Sequence, residues 1–430
     1  MIARWRWIVG RVTKRLWFRA TLFSVLGVIT ALLAVVFKGY IPASLSTSVG
    51  ADAVDKILGI IASSMLAVTT FSLSTMVTAY GAASSGVTPR ATTLVMEDAT
   101  TQNALATFIG SFLFSLVGII ALSTGVYGNQ GRVLLFAVTL AVIVVIVYTL
   151  LRWIDHLSKL GRVGETIDRV EHATVSALKG RIEWPCLGAL PYPASTPDAL
   201  IEVSAKEVGY VQHIDIQSLQ DIAEQAQVSI YVHVVPGSFV GLGEPLVCVD
   251  SPNGEGVDED IQTRIRAVFA VGIRRTFEHD PRFGLAVLSE IASRALSPAV
   301  NDPGTAIDVI GRGVRAFSWL GSPSSRDEAQ ASECQRVYVH GLELEDMFDD
   351  FFSPIARDGA LLVEVGVRLL KGLGSLVRLN PAYFSTVAAC HAQLLIARAA
   401  HAGILTCDLT RLQVIAQEQG LNDAHAARRA

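Results

Sequence analysis

The stretch ILGIIASSMLAVTTFSLSTMVTAYGAASSGVTP, residues 57–89, runs for 33 positions without an Asp, Glu, Lys, Arg or His. At ~1.5 Å of rise per helical residue it would reach ~50 Å, beyond the ~30 Å hydrocarbon core of a bilayer, so its ends must tilt, protrude or leave the helix. Gly81 to Pro89 supply the small residues and proline for that exit. Working outward, three further charge-free windows appear: Ala20 to Phe37 (18 residues), Ala99 to Gly131 (33) and Val133 to Leu151 (19). With 51% hydrophobic and 17% charged residues and a mean hydropathy of +0.44, the chain is too apolar for an ordinary soluble protein. The reading is a membrane α-helical protein with four transmembrane helices, followed by a cytoplasmic α+β domain.

Orientation follows from the flanking cations. Arg4, Arg6, Arg11, Lys14, Arg15 and Arg19 precede the first window, whereas only Lys38 and Lys56 follow it, which places the N-terminus in the cytoplasm. Four crossings return the chain to the cytoplasm at Arg152, so both termini and the loop Thr88 to Asn103 face inward. Residues 1–155 hold 11 Lys/Arg against 5 Asp/Glu, and the remainder 24 against 34, a balance that argues against nucleic acid as a partner. The 18-residue first window exceeds the apolar core of a signal peptide, so it reads as a retained span.

The boundaries are a basic N-terminus at 1–19, a four-helix membrane domain at 20–156, an amphipathic helix and Pro-rich linker at 157–198, a small β-rich module at 199–257 and a helical domain at 258–430. The amphipathic segment LGRVGETIDRVEHATVSAL reads as a continuation of the last span. Within 258–318 helices are expected, beginning with VDEDIQTRIRAVFAVGIRRTF, whose first acids suit a helix N-terminus. The acids and aromatics of LEDMFDDFFSPIA fit either a subunit contact or the inner face of a helical bundle.

Two sets of residues are candidates for function. In the second span Ser63, Thr70, Ser74 and Thr78 gather within about 80° of one helix face, while Thr69 and Ser72 lie elsewhere. Such a stripe can line a water-filled path, since hydroxyls replace hydration without fixing a charge in the membrane; equally, small hydroxylated residues allow close packing and bond back to their own carbonyls. In the soluble half, Asp280, Asn301 and Asp302 fall in turns and are read as a ligand or gating turn, against the plainer role of Asp302 as an N-cap before Pro303.

Templates for catalysis are missing: no G-x-x-x-x-G-K-[ST], G-x-S-x-G, H-E-x-x-H or G-x-G-x-x-G occurs in a suitable context. The five scattered cysteines form no C-x-x-C pair. The expectation is therefore no enzyme, no metal and no cofactor, with the lipid bilayer and further copies of the same chain as partners. The working hypothesis is a homo-oligomeric channel or pore gated by its cytoplasmic domain; the alternative is a membrane-anchored sensor or scaffold that binds a cytosolic ligand or partner and conducts nothing.

Two resemblances complete the reading. The pairing of a GYV strand with the later PGSFVGLGEPLVCV, taken as a hairpin, looks like the barrel-sandwich fold of biotinyl and lipoyl domains, but no lysine follows Lys206 until Lys371, so a carrier role is not implied. Taken together, SSMLAVTTFSLSTMVTAYGAASSGVTPR, QNALATFIGSFLFSLVG, EVGYVQHIDIQSL, PGSFVGLGEPLVCV and HDPRFGLAVLSEIASRALSPAVNDPGTAIDVI resemble, in order, the bacterial predicted membrane proteins known as domain of unknown function 2254. The resemblance implies an inner-membrane location and no particular chemistry.

Overall fold

The computed structural model describes residues 16–36, 51–96, 98–124, 128–159, 161–195, 197, 200–250, 257–322, 332 and 334–422. Most of the basic N-terminal segment and residues 37–50, in the expected first loop, lie outside these residues. The chain divides into two compact units, one covering 6–166 and the other 167–430.

The first unit is helical: α1 (Leu16–Val36), α2 (Ala51–Gly86), α3 (Thr92–Met96), α4 (Ala99–Ser123) and α5 (Gly128–Lys159). Among the described residues three stretches are long and apolar enough to cross a membrane: Ala53–Ala82, Thr92–Ser123 and Gly131–Ser158. The first of the four expected spans is α1, whose described apolar run, Ala20–Thr30, is shorter than a span. Helix α4 is central and packs against both α1 and α2. Its crossing with α1 is backbone on backbone: a Cβ on Gly110 would lie 2.9 Å from the Phe23 carbonyl oxygen, and one on Gly27 2.7 Å from that of Gly110. Small residues at a crossing let two helices gain dispersion contact where no hydrophobic force acts between them. Beyond it, Ile61, Met65, Phe108, Ile146 and Trp153 form one buried cluster, and Val54, Leu58, Phe114 and Leu135 another.

The expected continuation of the last span as one unbroken helix through residues 157–178 is not observed. Helix α5 ends at Lys159, Gly161 adopts φ +83, and α6 (Val163–Glu183) starts afresh. A left-handed residue cannot continue a right-handed helix, so α5 and α6 are separate helices.

The second unit contains two sheets built from β1 (Leu190–Pro191), β2 (Ile201–Ser204), β3 (Gly209–Ile214), β4 (Ser229–Val232), β5 (Phe239–Val240), β6 (Pro245–Asp250), β7 (Phe269–Gly272) and β8 (Val337–Val339). One has the order β1-β8-β4-β6-β2, with β8 parallel to both its neighbours; the other has the order β5-β3-β7 and is antiparallel. Three expectations change here. Strand β7 interrupts the helices expected over 258–318, β1 lies inside the expected linker, and the β-module closes only with β1, β7 and β8 from outside residues 199–257. Phe239 to Asp250 is not a hairpin either, because β5 and β6 belong to different sheets. Val203, Val211, Ile230 and Val247 from both sheets, with Leu219 and Ala223 of α7 (Ile216–Ala226), fill a single core.

The remaining helices are α8 (Glu259–Ala267), α9 (Pro281–Ala295), α10 (Pro303–Gly321), α11 (Leu344–Asp358), α12 (Val363–Leu379), α13 (Pro381–Ala402) and α14 (Thr406–Glu418). Phe348, Phe351 and Phe352 of α11 are buried with Phe317 and Phe384, so the aromatic face is spent within the chain and the subunit-contact reading of LEDMFDDFFSPIA is set aside.

Candidate functional site

The hydroxyl face of α2 is defined by what the other face does. Val54, Leu58, Ile61, Met65, Ser72 and Met76 are buried against neighbouring helices, and Ser63, Thr70, Ser74 and Thr78 are all exposed. At 100° per residue the two sets centre about 180° apart, so the stripe occupies the middle of the face left exposed among the described residues of this unit. Leu66, Leu73 and Val77 on one side and Phe71 on the other are exposed beside it. Three of the hydroxyls bond back to their own helix: Ser63 Oγ donates to the Gly59 carbonyl at 3.0 Å, Thr70 Oγ1 to Leu66 at 2.9 Å and Thr78 Oγ1 to Ser74 at 3.0 Å. These bonds remove the cost of placing a bare hydroxyl in an apolar medium and leave the oxygen lone pairs free to accept.

Ser72 differs from the stripe. It is fully buried and accepts a hydrogen bond from the indole Nε1 of Trp153 at 2.9 Å. One turn further along α5, His156 stacks on Trp153 and places Nε2 2.9 Å from Asp98 Oδ2. Asp98 is also the N-cap of α4, accepting from the Thr101 amide at 2.7 Å and from its hydroxyl at 2.6 Å. One chain of polar contacts thus ties α2, the start of α4 and the end of α5. Sequence reasoning missed it: the capping signal of Asp98 before Ala99 was legible, but nothing along the chain relates residue 98 to 156 or 72 to 153.

The candidates of the second unit do not come together. Asp280 caps the start of α9, while Asn301 and Asp302 follow its end. Fifteen residues of helix separate them, a span of ~22 Å. Asn301 takes the left-handed φ of +50 that lets the chain reverse, and the Asp302 amide then donates to the Ala295 carbonyl at 2.8 Å. Asp302 is exposed and caps α10, accepting from the Thr305 amide at 3.0 Å and from its hydroxyl at 2.6 Å. Those bonds hold its carboxyl below the usual value. Asp280 is 3% exposed and bound two-pronged by Arg275, at 2.7 Å from Nε and 2.9 Å from Nη2, while Oδ1 accepts from the Phe283 amide at 3.0 Å. Burial raises its pKa despite these donors. Gly237, at φ +100, lies against the same carboxylate, where a Cβ would collide with it.

Comparison with known proteins bears on identity. Uncharacterized proteins of Mycobacterium bovis (strain ATCC BAA-935 / AF2122/97) and Mycobacterium tuberculosis (strain ATCC 25618 / H37Rv) are 28% identical over 237 residues, 53% of this chain and 45% of theirs. The chain therefore spans about half the length of these relatives. No solved structure matches it. The model of a family of predicted membrane proteins, domain of unknown function 2254, matches residues 13–375, most of both units described above, and the chain belongs to that family.

Proposed function

We propose that this membrane protein is a four-span, homo-oligomeric inner-membrane channel or pore, in which copies of α2 surround a central path and the soluble unit acts as the gate. One observation carries the reading: the hydroxyl stripe Ser63, Thr70, Ser74 and Thr78 sits opposite the packed face of α2 and is exposed among the described residues, which leaves it open to another copy of the chain. A closed ring of identical chains would bring that face to the symmetry axis, and its hydroxyl oxygens would supply acceptors to a passing ion at intervals of one to two helical turns.

The test joins structure to conduction. Single cysteines along residues 63–78 are probed with a small water-soluble thiol reagent, and the purified protein is recorded in planar bilayers. Modification peaking at positions 63, 70, 74 and 78, together with discrete conductance, is expected. A uniformly protected helix and electrically silent bilayers would reject the pore and leave the anchored sensor.

A further inference from the structure

Arg181, in the last turn of α6, is 7% exposed, and neither its Nη1 nor its Nη2 has a hydrogen-bond partner among the described residues. Other arginines of this unit are matched: Arg275 to Asp280, Arg282 to Asp350 and Arg315 to Glu171. Burial pulls the pKa of Arg181 down to about 10, against the opposing influence of Cys186 and Asp280, so it remains a cation at neutral pH. Neither neighbour is a dedicated counter-ion. Burial keeps the Cys186 thiol neutral by raising its pKa more than Arg181 lowers it, and both oxygens of Asp280 are taken by Arg275 and the Phe283 amide. A buried guanidinium without acceptors is costly, and native proteins leave few such groups unmatched.

Arg181 borders a cavity of about 280 Å³, whose wall includes Cys186, Leu320, Leu342, Asn380 and Tyr383. Three features of that wall agree in sign and shape. Asn380 is the N-cap of the 22-residue α13 and accepts from the amide of Tyr383 in its first turn, so the helix offers the cavity the field of its positive end, while the Tyr383 amide is already bonded. Leu320 and Leu342 offer an apolar surface. Cys186 belongs to a run of left-handed residues, with φ 52, 62 and 86 at Cys186, Leu187 and Gly188, a backbone that persists only where surrounding structure holds it.

We propose that this cavity binds a small organic oxyanion, a carboxylate or phosphate ester with an apolar body, whose charge is met by Arg181 and by the N-terminus of α13. The inference stands whether or not the protein conducts. A soluble metabolite and a lipid headgroup share this chemistry, and the experiment separates them.

Full-length protein in phosphatidylcholine nanodiscs is titrated calorimetrically with phenyl phosphate and with benzoate, and with benzamide as the uncharged counterpart. Saturable binding of at least one anion at one per chain, with a raised melting temperature, is expected; benzamide binds at least about tenfold more weakly. Arg181→Met removes the anion response while leaving the ligand-free protein at least as stable, because it deletes an unmatched buried charge. Leu342→Trp fills the cavity without touching the cation and also removes binding, which decides the matter should Arg181→Met fail to fold. Replacing part of the phosphatidylcholine with phosphatidylglycerol assigns the site to a lipid headgroup if it competes with the probe, and to a soluble anion if it does not. Failure of both anions to bind, equal binding of benzamide, or unchanged binding in a folded Arg181→Met or Leu342→Trp variant overturns the proposal.

Discussion

The indole N–H of Trp153 donates to the hydroxyl of Ser72 across 2.9 Å, joining two helices of the membrane unit through a pair of fully buried side chains. Ser72 and Ser74 are two residues apart on one helix, yet the first is a structural acceptor and the second faces outward. Ser72→Ala leaves the indole N–H without a partner and should cost about 1–3 kcal/mol. Ser74→Ala should change stability by less than about 0.5 kcal/mol. Thermal unfolding of the two variants in the same detergent checks the order, and equal midpoints would count against the assigned partnership.

The crossing of α1 and α4 makes a second prediction. Gly110→Ala places a methyl 2.9 Å from the Phe23 carbonyl oxygen, whereas Gly59→Ala meets nothing within 4 Å. Separating the helices should destabilise the first variant by about 1–3 kcal/mol. The second should be neutral or gain up to about 1 kcal/mol from helix propensity. Resistance of each variant to denaturation by harsh detergent is the readout.

Asp302 should behave as a cap. Asp302→Ala is expected to lose about 1 kcal/mol and Asp302→Asn much less, because asparagine also accepts the Thr305 amide. The hydroxyl and amide of Thr305 lower the carboxyl pKa from its ordinary 3.8. A carboxylate whose pKa falls on folding contributes stability above its unfolded value and loses it as pH drops through the folded one. The gap between the native chain and Asp302→Ala is therefore full at neutral pH and closes below a pH of about 3.8. Melting curves across that range test the sign.

Gly237 and Asp280 should be coupled. Gly237→Ala places a methyl against the Asp280 carboxylate at a backbone φ of +100 and should cost more than about 1 kcal/mol. Asp280→Ala strands Arg275 and the Phe283 amide and should cost about 3 kcal/mol. In a double variant the two losses should be less than additive, because the clash disappears with the carboxylate. Strict additivity in denaturant unfolding would dissociate them.

Topology can be read by labelling. On a background with the native cysteines replaced, Glu165→Cys should stay unmodified by an impermeant thiol reagent in intact cells, and Gln130→Cys should react. The positive-inside distribution motivates both expectations. The reverse pattern would invert the proposed orientation.

What the sequence determined by itself is whatever depends on composition and short periods. Unbroken apolar length marks membrane-spanning helices, because backbone polar groups in lipid must be met within the helix. The Asp302-Pro303 cap was legible for the same local reason, and so was the angular separation of Ser63, Thr70, Ser74 and Thr78 from Ser72. Tertiary structure alone decided the rest. No local signal could show that β8 joins β1 and β4, since strand pairing is a long-range hydrogen-bonding choice. Nor could the apolar run of VFAVG declare itself a strand before it paired with β3. The polar groups are the sharpest case. His156 reads as any histidine until Asp98 stands 2.9 Å away, and Arg181 reads as a surface cation until folding buries its Nη1 and Nη2 with no acceptor among the described residues. Burial and partnership are properties of three-dimensional neighbours, and they set the energy of a charge far more strongly than its place in the chain.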